Sequence, residues 1–179
     1  MSVYQMTGGW SSPEPPTSHD NEIFVKAFGS LSGLSYEPHL VSRQVVRGTN
    51  YAFYCGVNAA TSPPQTGFVI SEAHESLEGA VSRTTVTLYG MIPQSLNEWS
   101  EPRLLDDNDI AVFEKGVKGV TGVVHTPLLV SSQLAQGKNY RYFCTSKTET
   151  NTGISVFTIH EKEQESVAEP RITNVATFG

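Results

Sequence analysis

The sequence is poor in cysteine, and this scarcity limits the kinds of fold and site that it can form. Its 179 residues include two cysteines, Cys55 and Cys144, too few for a disulfide framework or a zinc cluster. We expect both to be reduced, packed thiols. Residues 1–10 also lack the basic start and apolar stretch of a secretory signal. These features predict a cytoplasmic, reducing location, with secretion as the alternative.

Basic residues and long apolar runs are scarce as well. The chain has 12 Lys and Arg against 18 Asp and Glu, which gives a formal net charge of −6. Because phosphate binding requires clustered Lys and Arg, nucleic acid is not an expected partner. No apolar run is long enough to span a bilayer, so we do not expect a membrane partner either.

The residue patterns of common enzyme sites are missing from the sequence. The five histidines do not form a metal-binding spacing such as H-E-x-x-H, and there is no Gly-rich phosphate loop. Residues 29–33 resemble a nucleophile elbow, but their central residue is Leu31, where the elbow requires a nucleophile. We therefore expect a protein that is not an enzyme and that uses no cofactor and no metal.

An internal repeat is the most informative feature that is present. When the chain is aligned with itself at an offset of 89, residues 10–55 match residues 99–144 without a gap, and 16 of the 46 positions are identical. Chance at average composition would give about three identities. The repeat predicts two domains, residues 1–90 and 91–179, joined by a linker near residues 91–95.

Each repeat has the pattern of one helix followed by four strands. Apolar residues from Ile23 to Leu31 recur at helical spacing, and the second repeat has the same pattern from Val112 to Val120. Ala27 and Gly116 are small residues in these apolar faces, which would allow a sheet to approach closely. Strand patterns follow in the first repeat. They cover residues 40–46, 50–55, 67–73 and 81–89.

Residues 44–51, with the sequence QVVRGTNY, resemble the hairpin motif of a known family. They match the cystatin motif Gln-x-Val-x-Gly and the Thr-Asn-Tyr that follows it in stefins. Residues 6–9, Met-Thr-Gly-Gly, resemble the stefin N-terminus. Ser76 and Leu77 resemble the start of the second stefin hairpin, although Glu78 replaces the usual Pro. The resemblance covers the whole first repeat.

This resemblance implies both a fold and a function. The implied fold is α+β, with two tandem cystatin/monellin-like domains, each having one helix packed across a four- to five-stranded antiparallel sheet. The implied function is reversible, tight inhibition of papain-like cysteine proteases by a wedge that enters the active-site cleft. The residues that would contact the protease are Gly8, Gly9, Gln44, Val45, Val46, Arg47, Gly48, Leu77 and Glu78.

The second repeat departs from the motif in several places. Its hairpin consists of Gln133, Leu134, Ala135, Gln136 and Gly137. Asn97 and Glu98 occupy the positions of the Gly pair, and Glu98 would bring a charge against the protease. Residues 166–168, at its second turn, lie in an acidic stretch. We therefore expect this repeat to be a weakened or non-inhibitory copy that caps the structure or binds another partner.

One alternative function and one alternative assembly remain open. A tandem protein of this type could bind another partner without inhibiting cysteine proteases, as latexin-like proteins do with metallocarboxypeptidases, because fold does not determine function. The expected assembly is a monomer, and the alternative is a dimer that swaps strands across the first hairpin.

Overall fold

The structure is a computed structural model that describes residues 9–93, 99–162 and 170–178. The chain divides into two compact units, Met1–Met91 and Ile92–Gly179. This division lies one residue beyond the boundary that the sequence repeat predicts.

The first unit has one helix and one four-stranded sheet. Helix α1 spans Ser18–Phe28 and is followed by β1 (Leu34–Val46), β2 (Gly48–Ala59), β3 (Gln65–Glu75) and β4 (Val81–Pro93). The strands pair in sequence order, β1-β2-β3-β4, and the sheet is antiparallel. Such a meander needs only short connections, since each strand returns beside the previous one.

The second unit repeats this order. Helix α2 spans Asp107–Gly116 and precedes β5 (Val124–Leu134), β6 (Lys138–Lys147), β7 (Thr152–Glu161) and β8 (Arg171–Phe178). Its strand order is β5-β6-β7-β8. Pro38 in β1 and Pro127 in β5 each mark a register shift, because proline cannot donate a hydrogen bond to the neighbouring strand.

The expected fold class is wrong. Strand accounts for 55% of the structure and helix for 14%, in two separate four-stranded antiparallel sheets with only two helices among the described residues. The chain is therefore mainly β, and it does not form the predicted tandem cystatin/monellin-like modules with a helix across each sheet. The runs that predicted short strands mark only part of each strand. Backbone pairing extends beyond them, starting at Leu34 in β1 and continuing to Ala59 in β2.

Apolar side chains of each helix share a core with one face of the neighbouring sheet. In the first unit Ile23, Phe24 and Phe28 are buried with Val41 and Phe53. The ring centroids of Phe24 and Phe53 lie 5.1 Å apart in an edge-to-face arrangement, which is favourable for aromatic pairs. This core keeps the strands in a fixed register, because a slip of one residue would turn the apolar face of a strand to solvent.

The small residues that the sequence predicted in the helix faces have a structural role in the second unit. A Cβ atom on Gly116 would lie 2.6 Å from Cδ1 of Ile159 on β7, so no larger residue fits there. The first unit has Ala27 and Ala73 at the matching positions. The smaller helix residue thus faces the larger strand residue, so the two size differences partly offset each other.

The expected linker is partly a strand. Strand β4 continues to Pro93, so residues 91–93 belong to the first sheet, whereas residues 94–98 lie outside the described residues. In the part of the chain that the structure describes, no helix is long and apolar enough to cross a membrane.

Candidate functional site

The turns after β1 and β3 lie at the same end of the first sheet. Thr49, near the start of β2, pairs with Glu75, the last residue of β3. Because β2 begins beside the point where β3 ends, the β1–β2 turn and the β3–β4 turn are neighbours. We call residues 45–48 the tip and residues 76–79 the second turn.

The tip is a tight turn with exposed apolar side chains. Val45 and Val46 are exposed, and Arg47 beside them is exposed as well. Gly48 has a φ of +104°, in the left-handed region that side-chain-bearing residues rarely adopt. A Cβ atom on Gly48 would overlap the carbonyl oxygen of Glu75. The close approach of the tip to β3 therefore depends on glycine at this position.

The second turn presents another exposed apolar side chain. The hydroxyl of Ser76 accepts hydrogen bonds from the backbone N–H groups of Glu78 and Ala80, each at 3.2 Å. The N–H of Gly79 donates to the carbonyl of Ser76 at 3.0 Å and closes the turn. Leu77 is 71% exposed at its corner, so it is not part of the core.

The N-terminal segment, residues 9–14, runs antiparallel along the free edge of β1. Backbone bridges join Trp10 to Gln44 and Glu14 to Val41. The Ser11 N–H donates to a carbonyl of β1 at 2.7 Å. Following the segment backwards from Glu14 leads towards the tip, since the two strands run in opposite directions.

Gly9 and Trp10 therefore reach the same end of the sheet as the two turns. Both residues are exposed, and the Trp10 side chain is 45% exposed. Gly8, the other predicted contact in this segment, lies outside the described residues. Three separate parts of the first unit thus converge on one surface: the start of the N-terminal segment, the tip and the second turn.

A buried charge network attaches the N-terminal segment to the helix. Arg43 on β1 donates to Asp20 through Nε at 2.8 Å and through Nη2, and its Nη1 donates to Glu14. Asp20 is 1% exposed and also completes the capping box of α1 with Thr17. Burial alone would raise the pKa of Asp20, but hydrogen bonds from Arg43 and Thr17 outweigh burial and hold this pKa below its ordinary value.

A chain of side-chain hydrogen bonds supports the tip from behind. Asn50 donates through Nδ2 to Oε1 of Gln44 at 2.8 Å, and its Oδ1 lies 2.8 Å from Nδ1 of His74. Gln44 is half-buried, so its role in the structure is to connect β1 to β2 and, through Asn50, to β3. This chain holds together the strands that carry both turns.

A second pair of hydrogen bonds lies beside this chain. The Tyr51 hydroxyl donates to Oε2 of Glu75 at 2.8 Å, and burial and this bond raise the pKa of Tyr51 to about 12. The bond from Tyr51 is also the main reason that the pKa of Glu75 is lowered. Glu75 contacts His19 of α1 at 3.1 Å. These contacts tie the end of β3 to the helix and leave little freedom at the base of the second turn.

The second unit keeps the supporting chain but has a different tip. Asn139 donates to Gln133 at 3.1 Å and lies 2.7 Å from His160, as in the first unit. The loop between β5 and β6 has three residues, where the first unit has one. Gln136 has a φ of +36°, in a region where residues other than glycine are strained.

The side chains at the second tip present a different surface. Leu134 is 77% exposed, whereas Ala135 is half-buried and offers less apolar area than the matching Val46. Gln136 is exposed, and Gly137 follows it with a φ of +116°. The expected differences at residues 97–98 and 166–168 lie outside the described residues.

The tryptophans at the start of the two N-terminal segments have different environments. Trp99 in the second unit is 8% exposed, and the guanidinium of Arg141 lies 4.6 Å from its ring centroid. Ala52 occupies the position of Arg141 in the first unit. Because alanine cannot cover an indole ring in this way, the Trp10 side chain stays available at the surface of the first unit.

The sequence patterns identified the two turns but missed the groups that hold them. Trp10, Arg43 and His74 were not expected to contribute. For His74 a signal was available, because Gln44, Asn50 and His74 all recur as Gln133, Asn139 and His160 in the second unit. Within the described residues no group of His, Cys, Asp and Glu has the arrangement of a metal site.

No protein-family model matches the chain, and no curated protein matches it.

Proposed function

We propose that the first unit is a reversible, tight-binding inhibitor of papain-like cysteine proteases. The observation that carries this proposal is the convergence of residues 9–10, the tip and the second turn at one end of the first sheet. The order of these three elements along the chain, and the sequence of the tip, are those of the stefin motif. Exposed apolar side chains on neighbouring segments at one end of a sheet suit a partner with a cleft.

Each of the three elements would contribute a different kind of contact. Gly9 would lie along the cleft wall, where a residue without a Cβ lets the backbone come close. Val45, Val46 and Leu77 are exposed and would be buried in the complex. Full burial of such side chains contributes roughly 2 kcal/mol each, before the costs of association are subtracted.

Rigidity would make this contact tight and resistant to cleavage. The tip is connected to β2 and β3 through Gln44, Asn50 and His74, so little conformational freedom would be lost on docking. The wedge would cover the catalytic cysteine of the protease without placing a peptide bond in the geometry that the nucleophile needs. The inhibitor would therefore dissociate intact.

We propose that the second unit inhibits such proteases much less strongly. Its tip has Ala135 where the first unit has Val46, and its backbone is strained at Gln136. Leu134 nevertheless remains highly exposed. This exposure supports a second candidate function, in which the tip of the second unit binds a different protein partner.

We also place the protein in a reducing compartment, which suits the state of its thiols. Cys55 and Cys144 are free and buried. Burial raises the pKa of Cys55 to about 12 and raises that of Cys144 as well, so both thiols are unreactive at neutral pH.

Inhibition of papain by the full chain and by its Gly9→Glu variant tests the proposal. We expect Gly9→Glu to weaken inhibition by about tenfold, since the carboxylate would be desolvated against the cleft wall. Ser12→Glu is the matched control, because the second unit has Glu101 at this exposed position. It should leave the inhibition constant unchanged. A folded chain that leaves papain fully active would exclude the proposed function.

A further inference from the structure

The second unit contains a cavity at the end of its sheet that lies away from the tip. The cavity has a volume of about 270 Å³ and opens where β5 begins and where β6 turns into β7. Among the polar residues that line it, three on the helix-facing side of the sheet are hydrogen-bonded to one another, and we call them the polar trio: His125, Ser146 and Ser155. Val123 contributes apolar wall. Within the second unit, the length of β6 separates the cavity from the tip by roughly 30 Å.

The first unit fills the equivalent space with apolar side chains. Strand pairing puts Tyr36 opposite Val57 in the first sheet, where His125 lies opposite Ser146 in the second. Val69 pairs with Cys55 in the first sheet, and Ser155 pairs with the matching Cys144 in the second, so Val69 and Ser155 occupy equivalent positions. Val57 and Val69 are buried in the first core and Tyr36 packs against it. The second unit has thus exchanged three core side chains for smaller or polar ones, and a cavity lies there.

The polar trio forms a continuous hydrogen-bonded chain along the cavity wall. Nδ1 of His125 lies 2.7 Å from the Ser146 hydroxyl, which donates to the Ser155 hydroxyl at 2.7 Å. In this arrangement Nδ1 of His125 carries the proton, and the ring packs edge-on against Phe157 at 4.7 Å. The trio gives this wall a hydrogen-bonding capacity that the matching apolar residues of the first unit lack, which is a reason to look for a ligand.

The chemistry of the wall restricts the charge of that ligand. None of the described residues that line the cavity is Lys, Arg, Asp or Glu, so neither an anion nor a cation would find a counter-charge. Burial lowers the pKa of His125, which leaves its ring neutral at pH 7. The volume is that of roughly nine waters in the liquid, which is room for a ligand of about ten non-hydrogen atoms.

We propose that this cavity binds a small neutral molecule with an apolar body and one hydroxyl or carbonyl group. The body lies against Val123, and the oxygen takes part in the hydrogen bonds of the polar trio. The first unit has no equivalent site, because its own side chains occupy the space. Ligand binding would therefore be a property of the second unit alone.

Titration of the full-length chain with four probes of similar size, followed by amide NMR, tests this proposal. The probes are p-cresol, toluene, benzoate and benzylammonium. We expect p-cresol to shift the amide resonances of Gly153 and Ser155 in a saturable way. Benzoate and benzylammonium should not do so, and toluene should bind more weakly than p-cresol. The amides of Val57 and Val69 in the first unit are the internal control and should not move.

Two variants separate the cavity from its polar groups. The double substitution Ser146→Val and Ser155→Val copies the first unit and should weaken p-cresol binding by at least about tenfold. Ser146→Ala keeps the cavity open but removes its central hydroxyl, so p-cresol should then bind no better than toluene. If the double variant fails to fold, Ser146→Ala decides the question.

Three outcomes would overturn the proposal. One is the lack of any saturable shift up to about 10 mM p-cresol, a concentration that would detect even millimolar affinity. Another is equal binding of the charged probes. The third is unchanged p-cresol binding in the variants that fold, which would place the probe elsewhere on the chain.

Discussion

At the scale of single residues, Gly48 connects the sequence of the tip to its geometry. Its backbone is in the left-handed region, and a side chain there would overlap the Glu75 carbonyl oxygen. Both effects act against any other residue type at this position, so the fold itself requires the glycine, apart from any role in the proposed protease contact. A glycine that matches a family motif can therefore be required by the fold alone.

Gly48→Ala should therefore reduce stability by about 2–3 kcal/mol, through backbone strain and through the clash with β3. Gly79→Ala is the matched control, because Gly79 has a φ of +81° but no atom near its missing Cβ. It should cost about 1 kcal/mol, from strain only. Urea unfolding of the full chain measures both, and equal costs would show that the contact with β3 has no effect.

Asp20 makes the stability of the first unit depend on pH in the acidic range. Its folded pKa lies below the value in the unfolded chain, so it stabilises the fold above about pH 4 and this stabilisation is lost as the pH falls through the folded pKa. We expect the free energy of unfolding to decrease steadily below about pH 4. In Asp20→Asn this decrease should be smaller, while stability at pH 7 is also lower because Arg43 loses its buried partner.

Urea unfolding at pH 7, 4 and 3 checks this expectation. Glu22→Gln, an exposed residue of the same helix, is the control and should follow the wild-type pH profile. An Asp20→Asn variant whose acid profile matches that of the wild type would contradict the account.

At the scale of elements, a buried aspartate near the start of the helix attaches the N-terminal segment in both units. The arginine that contacts this aspartate lies on the first strand in one unit and on the segment in the other. In the first unit the arginine is Arg43 on β1, and Glu14 lies on the segment. In the second unit Arg103 lies on the segment and donates to Asp109 at 2.6 and 3.1 Å. The position matching Arg43 is Ser132 there.

This exchange predicts a compensating pair of substitutions in the first unit. Arg43→Ser alone should cost about 3 kcal/mol, because Asp20 remains buried without its cation. Adding Glu14→Arg should restore more than half of that loss, since it rebuilds the arrangement of the second unit. The measurement is urea unfolding of both single variants and the double variant. Simple addition of the two single effects would show that the segments are not equivalent.

Helical and strand periodicity in the sequence was sufficient to predict where the elements lie. Apolar spacing from Ile23 to Leu31 overlaps α1, although the helix ends at Phe28, and the run 81–89 lies within β4. The fold class could not be predicted in this way, because backbone pairing between strands extends through polar residues such as Ser35 and Asn58. Their stretch of sequence does not show the alternation that predicts a strand. The predicted α+β class therefore underestimated the amount of sheet.

The candidate site was predictable only where a motif marked it. The tip and Leu77 followed from the resemblance, whereas the pairing of the N-terminal segment with β1 did not. That segment contains Pro13, Pro15 and Pro16, which argue against a strand, and its pairing is limited to isolated bridges at Trp10 and Glu14. The Arg43 network could not be predicted from the sequence either. Its residues are far apart in the chain, and the arginine occupies different positions in the two repeats.

At the scale of the whole molecule, the two units share an architecture and differ at both ends of their sheets. The first unit has an exposed apolar tip with Trp10 beside it and a filled core at the opposite end. The second unit has a strained tip, a covered Trp99 and a cavity. Duplication followed by such changes would allow one chain to perform two tasks, only one of which involves a protease.

The central claim is that the protease site belongs to the first unit, and a titration of papain with the full chain tests it most directly. Residual activity plotted against the ratio of chain to active enzyme should reach its end point at about one chain per enzyme, as expected for tight binding at a single site. Val46→Asp should abolish this end point, because it puts a charge on the contact surface. Leu134→Asp, the matching change at the exposed tip of the second unit, should leave it in place. An end point at half a chain per enzyme, or loss of inhibition on Leu134→Asp but not on Val46→Asp, would contradict the account.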